Sequence, residues 1–261
     1  RLLASRRHFF RALTQGVGAV KQLKKALALD PSLEDARLGL GMYHYYASRI
    51  PAGAKPLAYL LVGEAGDRKR GIAELWRVAE STGVARMEAR SMLSQIMVKD
   101  DEEDWATADR LLVELSTRYP RNPIYRLRRG YVAVRRGDYD GAVALADPEG
   151  SWLSRLHPAV RPPAQAWSLY RAAEARILQG RPQDAARRLD ALEALDYPRR
   201  LQDWVLLRRG NLADAAGRRE EADALYARAA QGEKAPAAAA ARFRQQPYPA
   251  GPKDAAPFFT G

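Results

Sequence analysis

Residues 119–142 read Tyr-Pro-Arg-Asn-Pro-Ile-Tyr-Arg-Leu-Arg-Arg-Gly-Tyr-Val-Ala-Val-Arg-Arg-Gly-Asp-Tyr-Asp-Gly-Ala. Tyr119-Pro120 ends one helix, because proline cannot continue the hydrogen-bond ladder. Gly130 lies inside the next stretch, where a nearly absent side chain lets a second helix approach closely. Gly137 follows seven residues later, where the chain turns and a positive φ is needed. Ala142 comes five residues after that, as the small residue of a second helix. The stretch therefore reads as two antiparallel helices joined by a tight turn.

The spacing recurs on both sides. Ala173, Gly180 and Ala185 repeat it, as do Gly210, Gly217 and Ala222, while Gly66 and Gly71 keep its last step with Gly in place of Ala. A bulky apolar residue follows the second small one by four positions: Leu112 after Ala108, Leu189 after Ala185, Tyr226 after Ala222, Leu23 after Ala19. The anchors fall at 19, 71, 108, 142, 185 and 222, with intervals of 52, 37, 34, 43 and 37. The two long intervals hold Pro-containing insertions, around Ile50–Pro56 and over Asp147–Pro163.

This register resembles the tetratricopeptide repeat, whose period is about 34 residues. The resemblance covers residues 17 to 230 and implies an all-α fold. It would be an α-solenoid of antiparallel helix pairs in a right-handed superhelix, with five to six repeats, two of them stretched. A shorter likeness is carried by Gly39–Tyr46, Ile50-Pro51, Gly66–Ile72 and Tyr119–Pro123. It is similar to bacterial tetratricopeptide proteins and to the inclusion-body-clearance tetratricopeptide family, and it implies a binding or adaptor role without an active site.

Composition agrees with a helical fold. Ala, Leu and Arg dominate, hydrophobic residues make up 47% and charged residues 28%. Cysteine is absent, which excludes disulfides, thiolate zinc sites and cysteine nucleophiles. No apolar run approaches the roughly 20 residues that span a bilayer. The chain begins at Arg1 without methionine, which leaves room for an upstream leader or segment. The compartment stays open between periplasmic or envelope-associated and cytoplasmic.

The ends read differently from the middle. Residues 1–15 set Arg1, Arg6, Arg7 and Arg11 among Leu2, Leu3, Phe9, Phe10 and Leu13, as the first helix of the stack or a membrane-surface helix. Residues 235–246 are expected to form a capping helix over the last repeat. The domain organisation predicted is a single helical-repeat domain over 1–246 and a Pro-rich tail over 247–261, extended or disordered. Phe258 and Phe259 of the tail could dock onto the body or a partner.

No set of residues suited to catalysis emerges. His8, His44 and His157 are far apart, and no pair has helical zinc spacing. No phosphate loop or nucleophile elbow is present. The acidic run Asp100–Asp104 lacks the alternation of a calcium loop and reads as the start of the helix at Trp105. The chain is therefore read as a binding protein, not an enzyme, without metal or other cofactor.

In stacked helix pairs the first helix of each pair lines the concave face. Those helices fall between residues 35 and 46, 123 and 136, 166 and 178, and 203 and 215. On that face the register places Tyr45, Tyr46, Arg128, Tyr131, Arg135, Trp167, Tyr170, Arg171, Trp204, Arg208 and Asn211 as candidate partner contacts, about half of them also packing repeat on repeat. Aromatics offer area, and arginines a planar donor for carboxylates. The expected partner is a protein or peptide segment, plausibly acidic. Tetratricopeptide clamps for a C-terminal carboxylate use Lys and Asn at fixed positions; only Asn211 fits such a position. A net charge of +12 and the doublets Arg128-Arg129, Arg135-Arg136, Arg199-Arg200, Arg208-Arg209 and Arg218-Arg219 keep nucleic acid or another polyanion open as an alternative. So does a role as accessory domain of a larger enzyme or assembly.

Overall fold

The computed structural model describes residues 9–50, 59, 65–99, 102–249 and 251–254. Among them are twelve α-helices, two 3-10 turns and no strand. Contacts divide the chain into two compact units, 1–103 and 104–261. The sequence placed 1–246 in a single domain. Helix stacks make mainly neighbour-to-neighbour contacts, so a periodic pattern carries no mark of where one compact unit ends.

The first unit holds α1 (Phe9–Leu29), α2 (Glu34–Ser48), α3 (Arg68–Glu80) and α4 (Arg86–Ile96), each packed on the next. Its closest crossing is between α2 and α3. A Cβ on Gly71 would stand 2.5 Å from the Tyr45 backbone nitrogen, and one on Gly41 would stand 3.0 Å from the Gly71 carbonyl oxygen. The backbones touch, so no side chain fits between them. Gly71 is thus a close-packing residue of this crossing, and Gly41 is its partner, which the spacing did not identify. The first anchor is displaced by one residue. Ala19 is exposed, and Val20 is buried with Leu40, packed by Leu23, Leu27 and Tyr43. Most of the Ile50–Pro56 insertion and Arg1–His8 lie outside the described residues.

The second unit holds α5 (Trp105–Arg118), α6 (Pro123–Arg135), α7 (Tyr139–Ala146), α8 (Arg161–Leu178), α9 (Pro182–Glu193), α10 (Arg199–Ala215), α11 (Arg219–Ala229) and α12 (Lys234–Gln245). Each packs on the next, and α6, α8, α10 and α12 also pack on one another in order. Asp104, Asn122 and Asp138 accept backbone N–H groups at the starts of α5, α6 and α7. Pro123 and Pro182 open their helices, where no N–H is missed.

Three turns are built alike. Gly137, Gly180 and Gly217 have φ of +78°, +70° and +72°. The next residue's N–H reaches back five residues each time: Asp138 to Ala133, Arg181 to Arg176 and Arg218 to Ala213, each at 2.9 Å. That is the Schellman closure of a helix C-terminus. The small residues Ala108, Ala142, Ala185 and Ala222 are fully buried, with Leu112, Leu189 and Tyr226 beside them. In the Asp147–Pro163 insertion a 3-10 turn over Leu153–Arg155 buries Leu153 and Leu156 against the core. Arg126 caps α7 from α6, donating to the Leu145 and Ala144 carbonyls at 2.7 and 3.1 Å and lying over the Trp152 ring. Phe243 of α12 packs its ring on Tyr226, covering the end of the stack.

Candidate binding face

Counting from the small residues Gly130, Ala173 and Gly210, three arginines occupy one register position on α6, α8 and α10: Arg128, Arg171 and Arg208. All three are interior, exposed by only 8%, 1% and 1%. The residues three further on, Tyr131, Glu174 and Asn211, are buried as well. A strictly apolar repeat would place Leu or Ala here. This chain instead runs a polar seam through the packed face.

The seam is continuous. The Arg135 guanidinium lies 4.4 Å from the Trp105 ring centre and donates to the Tyr131 hydroxyl at 2.9 Å. Arg171 lies over the rings of Tyr131 and Tyr170, at 5.3 and 5.9 Å. Glu174 accepts from both Arg171 and Arg208 and from the Tyr170 hydroxyl at 3.1 Å. Arg208 donates to the Tyr170 hydroxyl and to Asn211 Oδ1, each at 3.1 Å. Asn211 donates to the Tyr226 hydroxyl at 2.9 Å, which donates in turn to Asp214 at 3.0 Å. A buried guanidinium is tolerated only with its donors satisfied and a carboxylate near, and Arg208 meets both conditions.

Burial raises the Tyr131, Tyr170 and Tyr226 hydroxyls above the ordinary tyrosine range. For Arg208, burial works toward a lower value, but Tyr170 and Glu174 together outweigh it and hold the guanidinium above its ordinary value.

The C-terminal stretch lies across this face. Tyr248 donates its N–H to Asp214 and its hydroxyl to the Ile177 carbonyl of α8, both at 3.2 Å. After Gly251 the chain makes a 3-10 turn over Pro252–Asp254 that packs on α6. Arg208 donates to the Asp254 carbonyl oxygen at 2.5 Å, and Asp254 is buried. The Asp254 carboxylate accepts the Gly251 N–H at 2.9 Å and pairs with Arg242 of α12. Of the stretch read from sequence as an extended or disordered tail over 247–261, Tyr248 and Gly251–Asp254 pack on the second unit. Composition marks proline-rich stretches as poor α-helix formers and says nothing about docking. Phe258 and Phe259 lie outside the described residues.

Nine of the eleven candidate contacts are buried: Tyr45, Arg128, Tyr131, Trp167, Tyr170, Arg171, Trp204, Arg208 and Asn211. They were expected on a concave face, about half of them also packing repeat on repeat. These nine pack in the interior, and around Arg208 the chain's own C-terminal stretch covers them. Arg135 is half-buried over Trp105, and Tyr46, 49% exposed, stands in the first unit near the Met92 sulfur. The structure joins Tyr131, Arg135, Tyr170, Arg171, Arg208 and Asn211 into one network, and Trp167 meets it edge-on at the Tyr170 ring. Sequence reasoning missed Tyr226, Asp214, Tyr248 and Asp254. Tyr226 carried a usable signal: a tyrosine at the position held by Leu112 and Leu189 brings a hydroxyl into the core that must find a partner.

Among the described residues no group of three or more His, Asp or Glu is placed to hold a metal ion, and no helix is long and apolar enough to cross a membrane. No family model matches the chain, and no curated protein matches it.

Proposed function

We propose that the chain is a helical-repeat scaffold of the tetratricopeptide kind, which holds an extended segment of a protein partner on the face made by α6, α8 and α10. On this reading the helix pairs are α2/α3 in the first unit and α6/α7, α8/α9 and α10/α11 in the second, with α12 packed on the last pair. The identical turns at Gly137, Gly180 and Gly217 and the order of packing among α6, α8, α10 and α12 support it.

The observation that carries the role is the seating of Tyr248 and of Gly251–Asp254. The stretch lies along the face outside the α-helices, its backbone carbonyl taken by a buried arginine and its tyrosine hydroxyl by a helix-terminal carbonyl. Backbone capture of this kind is how grooves hold segments of varied sequence. Amide hydrogen exchange with a saturating acidic, tyrosine-containing peptide tests the role. The expected result is changed exchange in α8 and α10 around residues 167–178 and 204–214. Unchanged exchange there, or changes confined to other helices, would reject it.

A further inference from the structure

The seated stretch is short and closely tethered. Two residues separate Gln245, the last of α12, from Tyr248. Tyr248 and Asp254 are its two fixed points, six residues apart. Tyr248 meets Asp214 and the Ile177 carbonyl. Asp254 offers its carbonyl to Arg208 and its carboxylate to Arg242 and the Gly251 N–H. Between them, Pro249 and Gly251 offer no large side chain to the face.

Arg208 explains why the stretch matters. Its Nη2 donates to both Glu174 and the Asp254 carbonyl, and the side chain is 1% exposed with the stretch in place. Lifting the stretch leaves a guanidinium that has lost one acceptor at the bottom of a polar seat. A buried donor without an acceptor is costly, so the open seat demands a new carbonyl or carboxylate.

We propose that the stretch from Tyr248 to Asp254 is an intramolecular occupant of the seat, and that the partner is a segment with the same two features and the same closing turn, a tyrosine and a carboxylate six residues further on. This deepens the reading of α6, α8 and α10 as a segment-holding face and rests on it. The partner replaces the Tyr248 hydroxyl at Ile177 and the Asp254 acceptors at Arg208 and Arg242. Because the resident stretch is tethered by so few residues, its effective concentration is on the order of millimolar, and it weakens any incoming segment by that competition. The proline at 247, directly after the extended Gln246, keeps α12 from continuing over the seat.

The probe is a fluorescein-labelled, C-terminally amidated peptide of residues 246–256, followed by anisotropy. It is titrated with the native chain and with the full chain carrying Tyr248→Ala and Asp254→Ala, whose fold is checked by circular dichroism. The doubly substituted chain is expected to bind about tenfold or more tightly than the native chain. A peptide with its own tyrosine and aspartate changed to alanine is expected to lose that gain. Equal affinity for both chains overturns the competition while leaving the face as a binding site. No binding to the folded, substituted chain overturns the face itself. If the double substitution prevents folding, Asp254→Asn is compared instead. It loosens only the carboxylate contacts, with a gain of about threefold expected and none contradicting the proposal.

Discussion

Arg208 is a buried guanidinium at the register position that Arg128 and Arg171 also hold, and its neighbours are arranged around that fact. Glu174 takes a hydrogen bond from Arg208 and another from Arg171, with all three side chains buried. Removing one member of a buried ion group leaves charge without compensation, at about 3–5 kcal/mol. Glu174→Ala should therefore cost about that much in urea unfolding. Glu221→Ala, which removes only the exposed pair with Arg218, should leave the midpoint unchanged. The tyrosines give a pH signature. Burial holds the hydroxyls of Tyr131, Tyr170, Tyr226 and Tyr248 above the ordinary tyrosine value of about 10. The native state thus keeps protons that the unfolded chain gives up as pH passes 10. Their contribution to stability is full below pH 10 and is lost above it. Absorbance at tyrosinate wavelengths should show a set of hydroxyls that ionise only as the helical signal disappears. Ionisation of all the tyrosines with the helices intact would contradict this. The residue types on this face were legible from the register, because the small residues fix which positions point inward. Their burial was not, because a guanidinium reads as a surface group until Glu174 and Tyr170 are seen beside it.

At the scale of elements, the glycines separate two physical roles that spacing alone cannot distinguish. A Cβ at Gly180 meets nothing within 4 Å, so only its φ of +70° resists substitution. Gly180→Ala should cost about 1–2 kcal/mol, the penalty of the left-handed conformation. Gly130 and Gly210 share one register position but differ in what they touch. A Cβ at Gly130 lies 3.3 Å from the Arg171 Cγ, whereas at Gly210 it lies 2.4 Å from the Tyr226 ring. Gly210→Ala should lose about 1–3 kcal/mol through overpacking against that buried ring. Gly130→Ala should be close to neutral, because helix propensity offsets a mild contact. Urea midpoints of the two variants settle the contrast, and equal losses would contradict it. The turns after α6, α8 and α10 were readable because Gly at a fixed spacing has one backbone explanation. The Gly41–Gly71 crossing was hidden by the insertion that separates its two halves. The shift from Ala19 to Val20 was hidden because α1 is apolar on adjacent positions, so a one-residue error costs the pattern nothing.

For the molecule as a whole, the arginine doublets behind the polyanion reading are less available than they look. Of the arginine doublets, Arg128 and Arg208 are buried, and Arg129 and Arg136 both face Asp109. Arg209 pairs with Asp190 and Glu193, Arg218 with Glu221 and Arg219 with Asp214. Arg199-Arg200 stands exposed at the start of α10. Basic residues held by carboxylates release few counterions, so DNA or RNA should not be retarded by the chain even at low salt. A steep, salt-sensitive shift would contradict this and revive the polyanion reading. That the described residues form helices packed in neighbouring pairs was legible because one spacing recurs along the chain. The docking of residues 248–254 was not, because a proline-rich stretch has no periodicity from which to read a contact. That docking is the centre of the account, and backbone ¹⁵N relaxation tests it most directly. The amides of Tyr248, Gly251, Lys253 and Asp254 should have order parameters near those of α10, about 0.85, in the native chain, and should drop below about 0.6 in Tyr248→Ala/Asp254→Ala. Values below about 0.6 in the native chain would mean that the face has no resident segment, and would contradict the account.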